Sequence, residues 1–338
     1  MNAKFKLIKI VVVAILFFTV TIKCQYNILL TTNGGKTWVN CLKGNNLGVF
    51  DALTINKSGY VFAANAGYSS GEHLGLYRSS DSGKLWTICR IKDAGNIDFR
   101  AFSFDSKGNI YVAGGSGIFF SKDNGSTWIK IEKPKNIFPQ VIAISKNGNI
   151  IAGSDGIYVK KNNSDIWRKV GLGNLNINDI KKDLNGILYA ATNKGVYLSK
   201  DNGYSWKDTY LGHYVNGVWL NDLWVNSLTV DKRNNVWAAT EEAGIFCLKN
   251  NYTQWTQNGI ANNFKIVRCI SFDNNGNIFI SAANCCPVES FFLLKSSDNG
   301  KSWIKLYSID SKHNSTAISK ISVNKDGYIF IGLTAVGG

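Results

Sequence analysis

Seven polar side chains recur at one register position along this chain: Asp51, Arg100, Gln140, Asn178, Asn226, Arg268 and Ser319. Each stands five residues before a polar turn. One and three residues before the same turns the positions are apolar, with Lys182 the exception. Side chains alternate along a strand, so an apolar residue is expected at the fifth position too. The polar residues there form a ring around whatever the strands enclose. Two guanidiniums and a carboxylate among amides make charge-assisted hydrogen bonds, the chemistry that holds an anionic or polyhydroxylated ligand. Wet strand ends would produce the same pattern.

Aromatic residues form a second group. The segment 207–225 carries Tyr210, Tyr214, Trp219 and Trp224 together with His213 and Asp222, and the segment 64–74 carries Tyr68, Glu72 and His73. Exposed rings of this kind stack on sugars or grip a peptide. Alternatively Trp219 and Trp224 fold inward as the segment's own small core. A glycosidase needs two carboxylates roughly 5–10 Å apart. Asp51, Asp98, Asp179, Asp222 and Glu72 are candidates, and no pair among them is marked by spacing. Three histidines give no Ser/His/Asp arrangement, and no Cys/His spacing suits a metal. No metal and no cofactor are expected.

These residues must be positioned by a repeat. An eight-residue pattern ending in tryptophan recurs with Trp38, Trp86, Trp128, Trp167, Trp206, Trp255 and Trp303, at intervals of 39 to 49 residues. The clearest copies run 121–128, 199–206 and 296–303; those at 160–167 and 248–255 are worn. Between the copies lie polar turns with glycine, as at Gly59, Gly108 and Gly148, with Asn235 standing in once. Glycine suits a tight turn that takes φ > 0. A period of roughly 40–50 residues is that of a propeller blade of four short strands, A to D. The expected fold is all-β: one seven-bladed β-propeller of four-stranded blades over residues 25–338. The N-terminal and C-terminal half-blades pair to close the ring, which removes two open sheet edges.

The octets resemble the Asp-box, or BNR, repeat, Ser/Thr-x-Asp-x-Gly-x-Thr/Ser-Trp. The resemblance covers residues 26–338. It implies a propeller in which each box is the turn between strands C and D, the Asp bonding backbone amides and the Trp packing between strands. Sialidases, xyloglucanase-like glycosidases, sorting receptors and the photosystem II assembly factor with its bacterial relatives share the repeat, so it does not choose a function. Sialidases add an arginine triad and an Arg-Ile-Pro segment. This chain has six arginines and no such segment. The xyloglucanase-like enzymes use two propellers, where this chain has one.

Residues 1–24 read as a secretory signal peptide, with Lys4, Lys6 and Lys9 ahead of the apolar run 10–20. Cleavage after Cys24 is favoured over a lipid anchor on it. Removing four lysines with the leader takes the formal charge from +15 to +11. The lysines are scattered, so no nucleic-acid module is expected, and no membrane span in the mature chain. Six cysteines remain, including the adjacent Cys285 and Cys286, whose pairing is open. The expected protein is exported to the periplasm, cell surface or exterior. It is a monomeric, noncatalytic scaffold binding a glycan or an envelope or extracellular protein through its loop-rich face and channel mouth. The alternative is a glycoside hydrolase using channel-mouth carboxylates.

Overall fold

The computed structural model describes residues 28–42, 49–66, 75–92, 98–215, 218–220, 222–250, 254–258, 264, 266–284, 290–310 and 316–335. The leader, Cys24, Cys285, Cys286, Tyr68, Glu72 and His73 lie outside them. The described residues are all-β, in a propeller arrangement. Three four-stranded sheets are Val49–Ile55, Val61–Ala66, Leu76–Ser79, Thr87–Cys89; then Phe99–Phe104, Ile110–Gly114, Gly117–Ser121, Ile129–Ile131; then Val225–Val230, Val236–Thr240, Ile245–Leu248, Trp255–Asn258. A fourth is Ile266–Phe272, Ile278–Ala283, Ser290–Ser296, Ile304–Asp310. In the fifth, Ile28–Thr31 pairs with Ile329–Ala335, Leu30 opposite Phe330, so the two ends of the chain close one sheet.

Seven separate four-stranded sheets are not what forms. Five do, and the remaining strands make one six-stranded sheet spanning Val141–Ile144 to Lys207–Asp208, beside a ribbon of His213–Val215 and Val218–Leu220. Between 154–156 and 172–174 the pairing shifts register without ending, so two of the expected blades join in one sheet. Gly156, Leu172 and Asn174 all take positive φ there, and Ile150–Lys160 and Trp167–Lys182 are each continuous strand.

The polar turns explain their own composition. Asp105 Oδ1 accepts the amides of Lys107 and Asn109 at 2.9 Å each, an Asx turn that Asp231 and Asp273 repeat. The stand-in for glycine is not Asn235 but Asn234 (φ 64°), three residues after Asp231 as Gly108 is after Asp105. In the boxes, Asp123 Oδ1 accepts Ser126 N and Thr127 N at 3.0 and 2.8 Å, and Gly125 N donates to Ser121 Oγ at 2.8 Å.

The tryptophans divide by the third box residue. Where it is aspartate, the indole N–H of Trp86, Trp128, Trp206 and Trp303 donates to the carbonyl of its own box glycine, at 2.9 to 3.2 Å. Where it is asparagine, the indole reaches elsewhere: Trp38 to Leu306 O, Trp167 to Glu132 O and Trp255 to Thr209 Oγ1. Cores lie between neighbouring sheets; Ala64, Leu76, Phe99, Val112 and Phe119 form one. Burying a side chain such as Phe99 is worth about 1.5–3 kcal/mol, so adhesion between sheets holds the ring.

Candidate functional site

The seven-residue ring begins with a backbone irregularity. Pairing between strands A and B slips between Phe50 and Ala52, Phe99 and Ala101, Ile177 and Asp179, Val225 and Ser227, Val267 and Cys269, and Ile318 and Lys320. The skipped residue is each time the polar one. A β-bulge inserts one extra, unpaired residue and re-aims its side chain. Phe50, Phe99, Val225, Val267 and Ile318, one residue earlier, are fully buried in its place. Gln140 sits just ahead of its strand, its amide donating to Gly153 O at 2.9 Å. The alternation that demands an apolar residue is broken where the ring stands.

All seven side chains line one cavity of about 640 Å³, with Trp224, Lys320, Thr334, Asp155 and Asn176. Arg100, Gln140, Asn178 and Lys320 also line a deeper space of about 240 Å³ with Asp179 and Lys181, so mouth and lumen are continuous. Several ring members clasp the next sheet. Asn178 Nδ2 donates to Val225 O at 2.8 Å, Asn226 Nδ2 to Val267 O at 3.0 Å, and Ser319 Oγ to Phe50 O at 2.6 Å. Each acceptor is the residue just before the next ring member in its strand. Arg100 Nη1 donates to Gln140 Oε1 at 3.0 Å, and its Nε to Asp98 at 3.1 Å.

The cations are held differently. Arg268 lies over the Phe291 ring at 5.2 Å, and its buried Nε meets no acceptor among the described residues. Burial raises the Asp51 carboxyl above its usual range, with Lys320 and the Thr334 hydroxyl opposing. Burial also acts to raise Asp179. There Lys181 at 2.8 Å, Lys320 and the Leu228 amide at 2.9 Å outweigh it and hold the carboxyl below its usual range. Asp98 faces Arg100, and Asp155 faces Lys169 at 3.8 Å. Among the described residues no cluster of His, Cys, Asp or Glu could hold a metal.

The aromatic group separates. Trp224 is 44% exposed on the mouth cavity, not folded into a core of its own. Tyr210 lines another groove of about 710 Å³, with Asp183, Lys200 and Lys249. Tyr214 and Trp219 pair across the two-stranded ribbon, and their side chains lie outside the described ones. Buried Leu211 and Leu223 anchor the segment that carries the ribbon. Sequence reading missed Lys320, Thr334 and Asp155. Lys320 was available as the neighbour of a ring residue; Thr334 and Asp155 carried no register signal.

A family model described as "Photosynthesis system II assembly factor YCF48" matches residues 59–332. No curated protein matches the sequence. Solved structures share the fold at low identity. "YCF48 bound to D1 peptide" is 12% identical, with TM-score 0.57, over 85% of this chain and 93% of that one. The GH74 enzyme of Niastella koreensis is 16% identical, with TM-score 0.60, over 76% and 45%. PorZ, a bacterial surface component of the type-IX secretion system of Porphyromonas gingivalis, is 14% identical, with TM-score 0.57, over 86% and 46%.

Proposed function

The chain belongs to the family of the photosynthesis system II assembly factor YCF48, and from that premise we propose that it is a noncatalytic propeller scaffold that seats an extended segment of a partner protein in the channel mouth. Arg268 carries the reading: it lines the cavity where the ring side chains converge, and its buried Nε has no acceptor among the described residues. A carboxylate or carbonyl of a bound segment would pair with that guanidinium by charge-assisted hydrogen bonds. Arg100 and Lys320 add positive charge on the same wall. Trp224 supplies an exposed ring beside them. The D1 peptide bound by a YCF48 protein supports a peptide over a glycan.

The six-stranded sheet serves, in this reading, as two blades, bringing the ring to seven. Box glycines support it. A methyl group on Gly125 would stand 2.9 Å from Phe62 and 3.7 Å from Arg78, on the second and third strands of the preceding blade. One on Gly203 would stand 3.1 Å from Ile151 and 3.3 Å from Val159, both within Ile150–Lys160. The mature ring acts as an exported monomer facing envelope or extracellular proteins. A secreted product that begins at Gln25 and sediments as a single chain would bear this out; retention of the leader or a stable oligomer would not.

Hydrolysis is the second reading, favoured by the raised Asp51 carboxyl, a property of a general acid. One experiment separates the two. The mature chain is screened against a random peptide library in carboxylate and amide forms, a glycan array and a panel of glycosidase substrates, beside an Arg100→Ala/Arg268→Ala variant. Peptide binding without turnover, weakened about tenfold or more in the variant, is the expected result. Turnover that Asp51→Asn abolishes would replace the scaffold reading with a hydrolase. Glycan binding alone would replace the peptide.

A further inference from the structure

We propose that the face carrying the Asp-boxes docks on an anionic phospholipid bilayer. Two sets of turns share that face, as their contacts show. Asn56 Nδ2, in an A–B turn, donates to Asn124 Oδ1 of a box at 2.8 Å, and the amide of Leu184 donates to Asn234 Oδ1 of the next A–B turn at 2.7 Å. Strands A and C both run toward this end, away from the channel mouth, so a docked ring would turn its ligand cavity outward.

The charges on this face are sorted by reach. Each sheet apart from the two-stranded ribbon places exposed cations in these turns, among them Lys36, Lys84, Lys122, Lys161, Arg233 and Lys301. Most of the carboxylates are folded back; Asp165 and Asp326 instead stand exposed, each beside a lysine, Lys160 at 3.3 Å and Lys325 at 3.9 Å. The carboxylates of Asp81, Asp123, Asp201 and Asp298 accept amides and hydroxyls of their own boxes. The turn carboxylates Asp105 and Asp231 do the same with turn amides. The cations extend on long stems while most of the anions are held against the backbone, so cations outreach anions in the outer layer.

Apolar tips stand among those cations. Leu85 and Ile166 occupy the box position that holds Thr127, Ser205 or Ser302 elsewhere, and they are 76% and 66% exposed. Leu184, on an A–B turn, is 72% exposed. Lysines interspersed with protruding Leu and Ile on one face are the makeup of an interfacial membrane surface, where apolar tips enter the headgroup layer and cations meet anionic lipid. A soluble polyanion would use the lysines and leave Leu85, Ile166 and Leu184 unexplained.

The test is co-sedimentation of the mature chain with phosphatidylcholine vesicles, plain or carrying about 30% phosphatidylglycerol, at low salt and at about 0.5 M salt. Two triple variants are compared, Lys84→Glu/Lys122→Glu/Lys301→Glu and Leu85→Ser/Ile166→Ser/Leu184→Ser, each checked for its β-sheet circular dichroism and cooperative melt. Binding should need phosphatidylglycerol and weaken at high salt. It should fall on the order of a hundredfold in the charge variant and about tenfold in the apolar one. No binding to anionic vesicles overturns the proposal, as does binding that the charge variant retains. Heparin binding equal to vesicle binding, with no effect of the apolar variant, would assign the face to a soluble polyanion instead.

Discussion

Ser319 Oγ donates to the carbonyl oxygen of Phe50 at 2.6 Å, across 269 residues of sequence. The bond joins the last inner strand of the ring to the first described one. Phe50 is fully buried, so its carbonyl has no water to fall back on. Ser319→Ala should lower stability by about 1 kcal/mol, or about 2–4 °C in Tm for a domain of this size. Peptide binding measured at saturating folded protein should not change. A loss of binding without a loss of Tm would make Ser319 a ligand contact and not a clasp.

The boxes make a second expectation. Asp123→Asn keeps an acceptor for Thr127 N but removes the charge. Asn33 already occupies the equivalent position in its own box, which retains Gly35, and there Trp38 bonds Leu306 O instead. The Trp128 indole should therefore leave Gly125 O for the preceding sheet. The indole N–H resonance in a ¹⁵N-labelled sample should move in this variant and stay in Lys122→Ala. An unmoved resonance would mean that the carboxylate does not decide the indole's partner.

Much of this architecture was legible in the residues, for a physical reason. A propeller repeats one supersecondary unit, so each turn is written several times, and Asp105, Asp231 and Asp273 announce the same Asx turn. The ring was legible as a violation, since Asp51 and Arg268 sit where alternation asks for an apolar residue. The bulges that cause it were not, because wet strand ends would put polar residues at the same register. Neither was the clasp role of Asn178 and Ser319, because the acceptors are carbonyls, which any residue supplies. Sheet boundaries failed at Gly156 and Asn174, where the chain takes positive φ and the pairing shifts register without ending. Tyr210 was grouped with the mouth by chain proximity, and the chain carries it to another groove.

Acid should act through the boxes, with the sign set by depressed carboxyls. Burial alone would raise Asp123, but the Thr127 hydroxyl and amide, Ser121 and Ser126 outweigh it and bring the group to about 2. Asp81 and Asp201 are likewise lowered, with burial outweighed by box donors; Asp298 is lowered chiefly by the Ser302 hydroxyl and amide. A folded-state value below the unfolded one, about 3.9, gives stability that is present above pH ~4. It is lost as pH falls from ~4 toward ~2. Tm followed from pH 6 to 2 should drop across that window, and less steeply in Asp123→Asn/Asp201→Asn. Equal slopes would remove the boxes as its source.

Asp51 carries the opposite sign. Its raised value means that the ionised form is disfavoured in the fold, so its penalty grows as pH rises through the unfolded value and is complete above the folded one. Asp51→Asn keeps an acceptor for the Thr334 hydroxyl and removes the charge. It should raise Tm at pH 7 and leave it unchanged at pH 3. A fall at pH 7 would mean that the Lys320 attraction outweighs burial.

Two glycines with the same backbone angle separate turn strain from contact between sheets. Gly59 and Gly83 both have φ +85°, so alanine at either suffers the left-handed penalty of about 1–2 kcal/mol. A methyl group on Gly59 would meet nothing within 4 Å, whereas one on Gly83 would stand 2.6 Å from Phe330 Cε1. Phe330 is fully buried in the closing sheet and has no free space to yield into. Gly83→Ala should therefore cost about 1–3 kcal/mol more than Gly59→Ala, the usual range for overpacking. Chemical denaturation of the two variants measures that difference directly. Equal losses would show that the box turn can retreat from the sheet it covers, and that the boxes rest on the ring without locking its joints.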